Sequence, residues 1–121
     1  MILVDTSIWV QHFREGEPDL VQLLDRGQVL GHPFVAGELA LGNLPDRTTV
    51  LHWLGQLPPA VVARNDEVLR FIVSERLSGE GIGYVDASLL AATRLTPEAR
   101  FWTRDRRLNG LALRMGLAFP I

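Results

Sequence analysis

The chain begins with an unbroken apolar run, Met1-Ile2-Leu3-Val4, which ends on Asp5-Thr6-Ser7. Apolar residues without polar alternation predict a strand buried on both faces, as at the centre of a parallel sheet. The period then becomes helical. Ile8, Trp9, His12 and Phe13 share one face of a helix predicted from Thr6 to about Arg14 and closed by Gly16. A second helix opens at Glu17-Pro18-Asp19, where Pro suits the first turn and the acids suit the dipole, and it runs through Leu20, Leu23 and Leu24 to Gly27. Gln28 to His32 predicts a second strand. Pro33 starts a helix from Phe34 to about Gly42, and Asn43 and Pro45 break it.

The second half repeats this alternation. A helix is predicted from about Asp46 to Gln56, then a turn at Pro58-Pro59 and a short strand over Ala60-Val61-Val62-Ala63. Asn65-Asp66-Glu67 caps a helix reaching about Leu77, and Ser78-Gly79-Glu80-Gly81 is a loop. Val85 to Ala92 lies on the next helix. Arg100 to Thr103 predicts a strand, Asp105 to Met115 a helix ended by Gly116, and Leu117-Ala118-Phe119 a last short strand. Strands alternating with helices imply an α/β fold of three layers, with a parallel sheet of four or five strands flanked by helices. One domain over residues 1–121 is expected, without repeats or linkers.

Composition narrows the chemistry. There is no cysteine, which excludes disulfides, zinc thiolate sites and cysteine nucleophiles. His12, His32 and His52 are too far apart in sequence to form a helical metal pair. Any metal must then be held mainly by oxygen, which points to Mg²⁺ or Mn²⁺. All 12 basic residues are Arg. The net charge of −2 does not exclude a nucleic-acid partner, because four of the 14 acids gathered on a metal would leave ten against 12 Arg. With no apolar stretch of membrane-spanning length, no basic leader, and the first residues in the core, a cytoplasmic protein is expected.

Four carboxylates stand out. Asp5 follows a buried strand, where open α/β sheets place their ligand crevice, although an Asp between strand and helix is also a good N-cap. On a helix, the near neighbours of Glu38 are Phe34, Val35, Leu41 and Gly42, and those of Asp86 are Ile82, Gly83, Leu89 and Leu90. Both acids therefore sit on faces that otherwise suggest core, where an unpaired charge costs several kcal/mol. Their bland alternative is an edge position open to solvent. Glu75 has Ser78 and Gly79 ahead of it and is expected to be solvated. Asp105 opens a helix crowded by Arg104, Arg106 and Arg107, and the dipole there disfavours positive charge. Thr6, Ser7 and Thr103 stand ready to add hydroxyl ligands or to orient the carboxylates.

The motifs that carry these acids resemble the PIN domain, and more closely the VapC-type ribonuclease toxins of bacterial toxin–antitoxin pairs. They are Asp5-Thr6-Ser7, Val35-Ala36-Gly37-Glu38-Leu39-Ala40, Gly83-Tyr84-Val85-Asp86-Ala87-Ser88-Leu89-Leu90-Ala91 and Trp102-Thr103-Arg104-Asp105-Arg106-Arg107-Leu108, in that order along the chain. The resemblance implies that Asp5, Glu38, Asp86 and Asp105 are the catalytic and metal-binding acids, with Asp105 the least direct ligand, and Thr103 the polar residue of the fourth motif. It further implies Mg²⁺ or Mn²⁺, hydrolysis of single-stranded or structured RNA, a cognate antitoxin that blocks the pocket, and a homodimer.

Arg104, Arg106 and Arg107 are the candidates for RNA phosphate contacts. Trp9, Trp53 and Trp102 are expected in the core rather than stacking on bases, and His12 is expected to pack or face solvent. Three rival readings stay open. One is a module of the same fold that binds RNA or protein without cleavage, and another is a PIN nuclease of RNA processing outside toxin–antitoxin systems. The third, a phosphoacceptor domain, is disfavoured because that class uses a strand-end Lys and the chain has none.

Overall fold

The strand Ile2–Val4 (β1) is the middle of the sheet in the computed structural model, which describes residues 1–120. Ile2, Leu3 and Val4 are all buried, and since successive strand residues face opposite sides, both faces of β1 are covered. The helices Thr6–Glu15 (α1) and Pro18–Asp25 (α2) follow, then the strand Val29–Leu30 (β2) and the helices Pro33–Ala40 (α3), Arg47–Leu54 (α4), Asn65–Ser74 (α5) and Tyr84–Leu95 (α6). The strand Arg100–Trp102 (β3) and the helix Arg106–Arg114 (α7) complete the chain's regular elements.

Both β2 and β3 pair with β1 in parallel, giving the order β2-β1-β3. Leu3 lies opposite Leu30 on one side and Phe101 on the other, and Val4 lies opposite Trp102. This register brings the carboxyl ends of β1 and β3 together. The Asp5 N–H extends the ladder by donating to the Trp102 carbonyl at 2.9 Å, so Asp5 and Thr103 leave the sheet side by side.

The core is continuous around these strands. Leu3, Val4, Leu89, Leu90 and Phe101 have no exposed surface, and Ile8 and Trp9 retain only 1%. Each such side chain contributes about 1.5–3 kcal/mol through burial. The strands, in short, are anchored far more firmly than their length suggests.

The expectation of four or five strands is corrected to three among the described residues. Ala60–Ala63 forms no strand; the pairing at that edge is a single parallel bridge between Pro59 and Gly31. Gly31 N–H donates to Pro58 O and Ala60 N–H donates to Gly31 O, and Pro59 itself has no N–H to extend the ladder. At the opposite edge, Leu117–Phe119 contributes only the bridge between Ala118 and Phe101, closed by two hydrogen bonds.

Candidate active site

Asp5 occupies the N-cap position of α1, yet its carboxylate makes no capping bond. It turns instead to two hydroxyls. Ser7 Oγ donates to Oδ2 at 2.8 Å and Thr103 Oγ1 donates to the same oxygen at 2.7 Å. Thr103 in turn accepts from the Asp105 N–H at 3.1 Å, and Ser7 accepts from the Arg104 N–H at 3.0 Å. Asp5 and Thr103 are buried, so this network is shielded and its orientation fixed.

The other three acids surround this point from separate helices. Glu38, on α3, accepts from Thr6 Oγ1 at 2.5 Å through Oε1, which ties α3 to the start of α1. Asp86, in the first turn of α6, accepts from the Gly83 N–H at 3.2 Å through Oδ2. Asp105 caps α7, with Oδ1 accepting from the Leu108 N–H at 3.0 Å. Each carboxylate thus uses one oxygen on a nearby donor. Among the described residues, no hydrogen bond engages Asp5 Oδ1, Glu38 Oε2, Asp86 Oδ1 or Asp105 Oδ2.

The charges of the other three acids reach Asp86. Burial pushes the Asp86 carboxyl above its ordinary value, the Gly83 hydrogen bond opposes this, and the charges of Asp5, Asp105 and Glu38 raise it further. No basic side chain enters that balance. Among the described residues, however, no three Asp, Glu or His side chains converge closely enough to close on an ion as they stand. The donor set itself is all oxygen, as a hard divalent cation requires.

Residues 2–113 match the PIN domain. The chain is also 46% identical over 118 residues to Ribonuclease VapC32 of Mycobacterium tuberculosis, in both strain CDC 1551 / Oshkosh and strain ATCC 25618 / H37Rv; the match covers 98% of this chain and 95% of each relative. The chain belongs to the PIN-domain family, among its VapC-type members.

In this PIN domain the predicted residues are not all placed as expected. Asp86 is half-buried, with Leu89 and Leu90 fully buried behind it. Glu38 is exposed: Val35 is buried, but Phe34 is 37% exposed and Leu41 90% exposed, so its apolar face is a surface and not core. Glu75 is paired with Arg94 at 2.9 Å and is not freely solvated. Arg104, Arg106 and Arg107 are exposed beside Asp105, and none pairs with a carboxylate among the described residues.

The aromatic expectations hold for two of three tryptophans. Trp9 and Trp102 are buried at 1% and 3% exposure, whereas Trp53 stays 41% exposed and packs edge-on against Trp9. His12 packs beside Phe13 and accepts from the Glu17 N–H at 3.2 Å. One link near the site was not foreseen. Tyr84 OH donates to Asn65 Oδ1 at 2.6 Å, joining the starts of α5 and α6 across 19 positions, a distance at which helical periodicity carries no signal.

Proposed function

We propose that this PIN domain is a Mg²⁺- or Mn²⁺-dependent endoribonuclease, the toxin of a type II toxin–antitoxin pair, working on single-stranded or structured RNA in the cytoplasm. The observation that carries this reading is the division of labour in the four carboxylates. One oxygen of each is anchored by a hydrogen bond, the other makes none among the described residues, and the charges of the other three acids reach Asp86. Asp5, Glu38, Asp86 and Asp105 would hold the cation through those free oxygens. When bound, the metal supplies charge neutralisation, an activated water and stabilisation of the charge developing on the phosphodiester.

The chain's own residues do the positioning. Ser7 and Thr103 hold the Asp5 carboxylate in one orientation, and Thr6 holds Glu38 against the start of α1. Arg104 and Arg106 are exposed cations at the rim, suited to phosphate contacts that are sequence-independent. Glu38 itself lines a groove of about 720 Å³ whose walls mix apolar Val10, Phe13, Leu39 and Leu44 with the cations Arg14 and Arg47. It supports a protein partner that covers the site, the role of the antitoxin in this reading, and a homodimer is part of the same proposal. Among the described residues no helix is long and apolar enough to cross a membrane.

The test is cleavage of RNA by the purified protein with Mg²⁺, after chelation, and after restoring the metal, alongside Asp86→Asn. Cleavage should vanish on chelation, return with metal, and fall at least about 10²-fold in the variant. Expression of the wild-type chain should arrest growth, and co-expression of the antitoxin from the adjacent gene should relieve it. Metal-independent cleavage, or full activity in Asp86→Asn, would refute the mechanism; growth without arrest would refute the toxin role.

A further inference from the structure

Among the described residues, Arg107 is the one of the three arginines beside Asp105 whose guanidinium meets another group of the protein. Its side chain lies across Gly81: a Cβ placed on Gly81 would fall 2.1 Å from Nη1, 2.9 Å from Cζ and 3.1 Å from Cδ. Nη1 also donates to the Gly81 carbonyl at 3.5 Å. Gly81 has φ of +77°, and Gly79 beside it has φ of +76°, so the Ser78–Gly81 loop uses a backbone conformation that glycine alone adopts freely. The backbone at 81 therefore calls for glycine, and a Cβ there would also displace the Arg107 side chain that lies on it.

The two ends of this contact lead directly to the acids. Gly81 is two residues before Gly83, whose N–H holds the Asp86 carboxylate. Arg107 is two residues after Asp105, in the first turn of α7. The helix dipole disfavours a cation in that turn, and among the described residues no carboxylate pairs with Arg107 to offset it. Ion pairing thus does not account for where the side chain lies; packing on Gly81 does.

We propose that Arg107 is a positioning residue: it clamps the Ser78–Gly81 loop to the start of α7 and so holds Asp86 facing Asp105, instead of contacting RNA. The effect on cleavage rests on the metal-dependent nuclease reading, whereas the clamp itself does not. Arg107 is exposed, so Arg107→Met removes the guanidinium without opening the core. Gly81→Ala attacks the same contact from the other side, and Arg107→Lys keeps the stem and the charge.

The decisive readout is amide hydrogen exchange over residues 79–86 in metal-free protein, together with Mn²⁺ affinity and steady-state cleavage. Arg107→Met and Gly81→Ala should each speed exchange in that segment about tenfold. Both should weaken Mn²⁺ binding and lower kcat about tenfold, with KM for RNA within about twofold, as expected when geometry and not substrate binding is lost. Arg107→Lys should recover most of the protection, and Arg104→Ala should instead raise KM. Unchanged exchange in Arg107→Met, or a raised KM with unchanged kcat and Mn²⁺ affinity, would overturn the clamp. A wild-type protein that neither binds Mn²⁺ nor cleaves RNA would refute the nuclease reading, and the exchange data would still judge the clamp.

Discussion

Thr103 Oγ1 donates to Asp5 Oδ2 at 2.7 Å across 98 positions of sequence, joining the ends of two neighbouring strands. The same hydroxyl accepts from the Asp105 N–H, so one buried side chain orders two of the four acids. Hydrogen bonds to a charged group contribute about 1.5–3 kcal/mol each. Thr103→Val should therefore destabilise the fold by about that amount and lower kcat about tenfold by letting Asp5 rotate. Thr103→Ser should behave nearly as wild type. Urea unfolding and cleavage rates of the two variants check this, and equal kcat in Thr103→Val would show that Asp5 needs no such support.

Glu38 and Glu75 form a matched pair of tests. Glu38 is bonded to Thr6 beside the other acids, whereas Glu75 is partnered by Arg94, a pair exposed enough to contribute about 0–1 kcal/mol. Glu38→Gln should reduce cleavage at least about 10²-fold with little change in stability. Glu75→Gln should leave cleavage within about twofold and lower the thermal midpoint slightly. Comparable losses of activity in both would mean that the site has been drawn around the wrong acid.

His32 sets a pH limit on the fold. It is 5% exposed, its Nδ1 accepts from the Phe34 N–H at 3.0 Å at the start of α3, and its Nε2 is buried without a partner among the described residues. Burial lowers its pKa, so the unfolded chain takes up a proton that the folded chain refuses. This contribution to stability is complete above about pH 6.5, the ordinary histidine value, and is lost as pH falls through the lowered one. His32→Asn, which can still cap α3, should flatten the dependence of the urea midpoint between about pH 7.5 and 5. Parallel curves for the two proteins would remove His32 from the account.

Much of this was legible because it depends on short-range pattern. The run Ile2–Val4 is a buried strand and Phe101 and Trp102 are the buried part of another, as their apolar residues predict, and helices stand at each of the expected places. The edges were not legible. Ala60–Ala63 and Leu117–Phe119 have strand-like composition, but each edge meets the sheet through a single bridge. Counting apolar neighbours explains Asp86, which sits over buried Leu89 and Leu90, and misdescribes Glu38, whose neighbours Phe34 and Leu41 are exposed. Periodicity identifies an apolar face without saying whether anything covers it. The contact of Arg107 with Gly81 was hidden for a different reason, since it joins a loop to a helix start 26 positions away.

In the proposed nuclease, Asp5 and the three carboxylates of Glu38, Asp86 and Asp105 share one divalent-cation site that drives RNA cleavage. The most direct test is to titrate Mn²⁺ into wild-type and Asp5→Asn protein and to assay RNA cleavage on the same samples. Asp5→Asn keeps an oxygen acceptor for Ser7 and Thr103, so the fold should persist while Mn²⁺ affinity falls at least about tenfold and cleavage at least about 10²-fold. A folded Asp5→Asn protein that binds Mn²⁺ and cleaves RNA like the wild type would contradict a cation site built on Asp5.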